Sequence, residues 1–239
     1  MDLRQKVAVV TGAGRGIGRQ IALDLAKEGC DVFACSRSAA ELEMLKQDCV
    51  NVGARCDYLA TDLTSLDNIN RLADSVINRF GHIDILVNNA GVLFQDGVLN
   101  VTETQWDQTM GINLKAAFFL AQRALKDMVA RRSGYIVNMV STAAICVPPG
   151  ITSYGTSKAG LIGASQALYE EAKQYGVKVS MIYPGMTDTG MLRAAGTGTT
   201  PGQWMLPEDI SNCVLFLLKT SGRMVIKEII PWSTGHDQI

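Results

Sequence analysis

Tyr154 and Lys158 stand four residues apart in "TSYGTSKAG" (152–160), among Gly, Ala, Ser and Thr. Four residues is about one helical turn, so on a helix the two side chains share a face. A phenol has a pKa of about 10, too high to exchange its proton easily near neutrality. A neighbouring ammonium favours the phenolate and lowers that value. The pair is therefore a candidate for moving a proton to or from an oxygen. Ser141, 13 residues upstream of Tyr154, carries a hydroxyl able to polarise such an oxygen. Spacing alone does not separate this pair from one on a solvated helix. Yet a packing face would carry Leu or Ile here, and a solvent face more charge.

The second candidate is "TGAGRGIG" (11–18), between an apolar run and a helical pattern. Glycines let the backbone approach a pyrophosphate, and a helix N-terminus supplies N–H groups and a partial positive charge. Gly12, Gly16 and Gly18 give G-x-x-x-G-x-G, with Gly14 between them. The common G-x-G-x-x-G is absent, since Ile17 and Arg19 stand where it would place glycine. A glycine-rich turn alone also suits a turn without a ligand. The strand before it and the helix after it are what point to a dinucleotide.

Both candidates need elements to hold them. Short β-rich runs at 6–12, 31–36, 55–62, 83–91, 134–141, 177–185 and 224–231 alternate with helical patterns. The helices are predicted over 17–29, 41–53, 66–81 and, as one long stretch, about 103–131. Others carry Tyr154 and begin near Pro207. This alternation predicts parallel βαβ units, in a doubly wound α/β sheet of about seven strands with helices on both faces. No repeat, linker or charge block divides the chain. One Rossmann domain over 1–239, carrying both cofactor and substrate sites, is expected.

With 22 basic and 23 acidic residues and no basic stripe, nucleic acid is not an expected partner. The longest uncharged apolar run, 116–121, is far too short to span a membrane, and the N-terminus lacks a signal-peptide core. Six cysteines without a C-x-x-C pair, and only His82 and His236, assemble no zinc spacing. They read as mostly buried thiols of a cytoplasmic protein.

The motifs together resemble those of the short-chain dehydrogenase/reductase family over nearly the whole chain. They are the glycine turn, Asp62-Leu63, N-N-A-G (88–91), Asn113, Ser141, the Tyr154/Lys158 pair and Pro184-Gly185, in that order. The resemblance implies an oxidoreductase that transfers hydride between NAD(P) and a carbonyl or secondary alcohol. A carbonyl that accepts hydride develops negative charge and needs a proton donor. Tyr154 would be that general acid, and the base in oxidation. Lys158 would tune it and bond the nicotinamide ribose, and Ser141 would polarise the substrate oxygen. Asn113 would hold a water linking Lys158 to solvent. The small residues around Tyr154 would let cofactor and neighbouring chain approach closely, and the face would be sparse because a ligand occupies it.

The cofactor residues implied are Gly12, Gly14, Arg15, Gly16, Ile17 and Gly18 in the turn, with Asp62 and Leu63 at the adenine. Asp62 alternatively reads as a helix cap beside Thr64 and Ser65. Asn89, Ala90, Gly91, Pro184, Gly185, Thr187 and Thr189 follow by resemblance, Thr187 being a mild departure from an apolar position. An NAD enzyme usually ends its second strand in Asp or Glu. Here Ser36 and Arg37 stand there, and a guanidinium suits a 2′-phosphate. NADP(H) is thus the expected cofactor, with NAD(H) possible, and Arg15 could reach the same phosphate.

The general pattern is closest to 3-oxoacyl-(acyl-carrier-protein) reductases. The ending "IKEIIPWSTGHDQI" departs from their V-D-G-G, which leaves a reductase or dehydrogenase of sugars, polyols or steroids, or a non-catalytic NAD(P)-binding regulator, as alternatives. Met191, Leu192, Trp204 and Met205 could form an apolar lid. Apolar residues on more than one side of the helices at 103–131 and 154–175, Phe118 and Phe119 included, predict a homotetramer or homodimer.

Overall fold

The structure is a computed structural model and describes residues 2–194 and 203–234. Most of the Gly/Thr-rich loop at 194–202, and His236, lie outside the described residues. Seven parallel strands form one sheet in the order β3-β2-β1-β4-β5-β6-β7. They are β1 (Val7–Thr11), β2 (Asp31–Ser36), β3 (Cys56–Ala60), β4 (Ile85–Asn88), β5 (Gly134–Met139), β6 (Val177–Ile182) and β7 (Glu228–Ile229).

Between them run α1 (Gly16–Lys27), α2 (Ala39–Asn51), α3 (Leu66–Phe80), α4 (Glu103–Met110), α5 (Ala117–Arg131), α6 (Thr152–Ala172), α7 (Gly190–Ala194) and α8 (Pro207–Leu218). The central strands are mostly apolar and buried on both faces, as a sheet covered twice requires. Ala8 and Val10 of β1 pack under Ile21 and Leu25 of α1, Leu42 of α2 and Leu217 of α8. Val7 and Val9 point the other way, into Leu72 and Val76 of α3, Leu120 and Ala124 of α5 and Leu168 of α6. The strand order reverses between β1 and β4. That is where an open α/β sheet leaves a crevice beyond its carboxyl ends.

Two elements differ from the sequence expectation. The helix expected over about 103–131 is broken by a π-helical turn, Gly111–Ala116, between α4 and α5. The strand expected over 224–231 pairs only at Met181–Glu228 and Ile182–Ile229. Met224 instead closes a turn on Ser221, and Lys178 Nζ donates to the carbonyls of both, 2.7 Å each. Four thiols are buried, but Cys146 is exposed and Cys213 half-buried. No described helix is long and apolar enough to cross a membrane.

Candidate active site

A cleft of ≈ 730 Å³ opens at the reversal point. One end is the glycine turn. Gly12 (φ +65°) and Gly16 (φ +56°) adopt backbone that favours glycine. At Gly18 the reason is space: a Cβ would lie 2.3 Å from Asn89 Nδ2 and 2.4 Å from the Gly12 carbonyl. That Asn89 amide donates to the carbonyls of Thr11 (2.9 Å) and Gly12 (3.3 Å), which fixes the end of β4 to the turn. Thr11 Oγ1 accepts from the backbone N–H groups of Asn89 and Ala90, 3.0 Å each.

Arg15 caps α1 without a side-chain hydrogen bond, and the first turn holds no acidic residue. The leading amides of α1 therefore face the cleft without a capping group, which suits an external anion. A dinucleotide pyrophosphate fits this cradle. Ser36 ends β2 and Arg37 follows it at the same end, and Arg15 and Arg37 are both exposed. Ser38 caps α2 by accepting from Glu41 N–H, 3.3 Å. The Glu41 carboxylate and Ser36 hydroxyl crowd Gly14, where a Cβ would lie 2.5 and 2.9 Å from them. Asp62 does not cap α3, whose N-cap is Ser65. Its carboxylate accepts from Thr64 N–H, 2.9 Å, and shapes the turn after β3.

The other end holds Ser141, Tyr154 and Lys158. Ser141 follows β5, and its hydroxyl accepts from Ala143 N–H at 3.1 Å. Tyr154, in the first turn of α6, is half-buried, and Lys158 is 4% exposed. Lys158 Nζ lies 5.8 Å from the Tyr154 ring centre and donates to the Met139 carbonyl at 2.7 Å. Burial raises the Tyr154 phenol, partly offset by its hydrogen bond with Ser141. Burial lowers the Lys158 ammonium to about 8. The sequence led us to expect a phenol lowered by Lys158. Desolvation outweighs that attraction here, because the ammonium is directed at the Met139 carbonyl.

Asn113 does not line the cleft. It sits in the π turn, buried behind Gly91, where its Oδ1 accepts from Val92 N–H (2.8 Å). Its Nδ2 donates to the Val92 carbonyl and to Ser157 Oγ, both 3.0 Å. A Cβ at Gly91 would lie 3.3 Å from Asn113 Oδ1 and 3.8 Å from Lys158 Nζ, so the two side chains flank that glycine. Asn88 joins Asn138 of β5 at 2.9 Å, and Asn138 donates to Ser165 of α6 at 2.8 Å. These buried amides tie the central strands to the Tyr154 helix.

A buried carboxylate, Asp96, holds the start of α6, and the sequence reading missed it. It accepts from Ser153 N–H (3.2 Å) and from the Ser153 hydroxyl, while its backbone pairs with Gly150 and Thr152. Ile151, the formal N-cap, offers no side-chain cap. Asp96 thus supplies from another segment the acceptor and negative charge a helix N-terminus favours. Ser153 Oγ also lies 3.3 Å from Thr109 Oγ1, one turn before Asn113.

The small residues around Tyr154 serve the protein's own contacts. A Cβ at Gly155 would lie 2.5 Å from Val147, and one at Gly160 2.9 Å from Leu114. After β6, Pro184 and Gly185 lead to Thr187, buried and donating to the Gly185 carbonyl at 3.0 Å. Thr189 packs beside Gly16, whose Cβ would lie 3.5 Å from its methyl. Met191 and Leu192 line the cleft, but Met205 is buried in the core against Met186 and Thr187. Trp204 does not line it either, whereas Trp232 does. Trp232 follows β7 at the same sheet end, and the unusual C-terminal sequence was the signal for it.

Apart from Asn113, every residue singled out above for cofactor or catalysis lines this one cleft. A doubly wound parallel sheet with a glycine turn at its reversal point defines a dinucleotide-binding class of protein. The sequence matches the short chain dehydrogenase family over residues 6–199. It is 32% identical over 238 residues to the 3-oxoacyl-[acyl-carrier-protein] reductase FabG of Thermotoga maritima, covering 96% of this chain and 97% of the relative. It is 34% identical over 235 residues to the 2-dehydro-3-deoxy-D-gluconate 5-dehydrogenase of Escherichia coli, covering 94% and 92%. Among solved structures, a metagenomic short-chain oxidoreductase in complex with NADP superimposes with a TM-score of 0.85 at 31% identity, covering 96% and 97%. The chain belongs to the short chain dehydrogenase family and is an oxidoreductase of that family.

Proposed function

We propose that the chain reduces a carbonyl compound, or oxidises the matching secondary alcohol, with NADP(H) in preference to NAD(H). The observation that carries this is the convergence of Ser141, Tyr154 and Lys158 at one end of a cleft whose other end is the glycine turn. When bound, the nicotinamide supplies or accepts the hydride. The chain's own part is proton transfer and positioning. Tyr154 Oη delivers a proton to the substrate oxygen, and the Ser141 hydroxyl donates to the same oxygen. Lys158, lowered to about 8, sits near enough to neutrality to exchange protons with the medium. Asn113 orders the segment behind it through Val92 and Ser157.

NADP(H) is favoured because Ser36 and Arg37, rather than a carboxylate, end β2, with Arg15 in the neighbouring turn. A single domain then holds both cofactor and substrate. A 3-oxoacyl thioester is the specific substrate that the FabG likeness supports. We place the protein in the cytoplasm as a homotetramer. The half-buried Phe118, Phe119, Ile162 and Tyr169 of α5 and α6 support the assembly.

The test is Tyr154→Phe. The ring keeps its packing and loses only the hydroxyl. Turnover should fall by at least ~10²-fold while NADPH binding holds. A variant that keeps more than about a tenth of wild-type activity would contradict the general-acid role.

A further inference from the structure

Charge is unevenly distributed along the cleft. Its charged lining residues are Arg15, Arg37, Glu41 and Asp62 at the cofactor end, and Lys158 beneath Tyr154. Beyond Ser141 and Tyr154 the described lining includes Leu93, Cys146, Val147, Pro148, Met191 and Trp232, with no Asp, Glu, His, Lys or Arg. Arg193 of α7 does not line the cleft and is paired with Asp188 at 2.8 Å. Lys158 is already committed to the Met139 carbonyl. At the mouth, Ile145 and Val147 are 56% and 48% exposed, next to the exposed Cys146. Apolar surface beside a cleft is surface that an apolar ligand covers.

A carboxylate brought into such a site loses its water without gaining a cation, and that desolvation opposes binding in ground and transition states alike. We propose that the substrate is an uncharged carbonyl compound with an apolar chain or ring, and that the site discriminates against small anionic oxo acids. This rests on the reading of the cleft as a carbonyl reductase site. Selectivity arises because the reacting oxygen meets Ser141 and Tyr154 while the rest of the molecule meets only apolar walls.

The experiment compares substrates that differ by one methyl esterification, which removes the charge, with the full chain and NADPH. The pairs are 5-oxohexanoate against its methyl ester and 4-oxocyclohexanecarboxylate against its methyl ester. The expected result is a kcat/KM about 100-fold higher for each ester, and a narrower ratio in Met191→Arg, which places a cation on the apolar wall. An acid reduced as well as or better than its ester overturns the inference, with the reductase reading intact. Reduction of no member of the series overturns the proposed substrate class. The Tyr154→Phe comparison on a wider carbonyl panel then judges the reductase reading separately.

Discussion

Replacing Lys158 with methionine should make the nucleotide-free protein more stable near neutral pH while abolishing turnover. The ammonium is 4% exposed and donates a hydrogen bond to the Met139 carbonyl. Desolvation lowers it from 10.5 to about 8. At about 1.4 kcal/mol per pH unit, that fall corresponds to about 3 kcal/mol by which the buried charge opposes folding. Methionine fills a similar length without charge. Its cost is an unmatched Met139 carbonyl, about 1–2 kcal/mol. The variant should therefore gain about 1–2 kcal/mol at neutral pH. The sign with pH follows from proton counting. Between about 8 and 10.5 the unfolded chain holds more protons at this position than the folded one, so wild-type stability from this group rises with pH. The penalty is complete below about 8 and is relieved toward 10.5, so the advantage of the variant should shrink over that window. Urea unfolding of both proteins without nucleotide, at several pH values and with matching m-values, measures the difference directly. A variant less stable than wild type at neutral pH, or a difference that does not change with pH, would refute the reasoning.

Other perturbations separate cofactor, turn and helix start. Arg37→Asp should weaken NADPH far more than NADH, by about 1.5–3 kcal/mol for each charged hydrogen bond lost; isothermal titration with both nucleotides checks this, and equal losses would exclude a 2′-phosphate contact. Gly18→Ala should cost about 1–3 kcal/mol or more, because the Gly12 carbonyl that a Cβ meets at 2.4 Å is backbone and cannot rotate aside. Thermal unfolding reads that loss, and an unchanged midpoint would count against the packing described. Asp96→Asn should lower kcat several-fold with little change in NADPH affinity, since the Ser153 link lies one residue before Tyr154 and away from the glycine turn. Combining it with Ser153→Ala should add less than the two single losses, because both break the same contact; full additivity would mean the link does not position Tyr154.

Much of the fold was legible because its signals are local. Four of the five residues of β1 are apolar and all five are buried, and the neighbouring βαβ units repeat that logic along the chain. Gly12 and Gly16 were legible as a turn between strand and helix, and both adopt the positive φ that such a turn uses. The π turn was hidden. Gly111, which opens it, and Met110 and Ala117 on either side all have ordinary helical dihedrals, and no proline marks the extra residue in the turn. Yet that turn re-aims Asn113 toward Val92 and Ser157, as such insertions do at functional sites. The glycines near Tyr154 show a second kind of ambiguity. Gly155 and Gly160 signal a close approach, but sequence does not say by what; the structure puts Val147 and Leu114 there.

Burial was the third thing hidden. Tyr154 and Lys158 sit four residues apart in any helix, and an exposed pair would have a lowered phenol and an ordinary ammonium. Here the strands beneath them and the Cys146–Ile151 loop above remove water, so the phenol rises and the ammonium falls to about 8. Spacing names the two groups. Their proton affinities are set by burial beneath residues that are distant in sequence, with the Ser141 hydrogen bond partly offsetting the rise of the phenol.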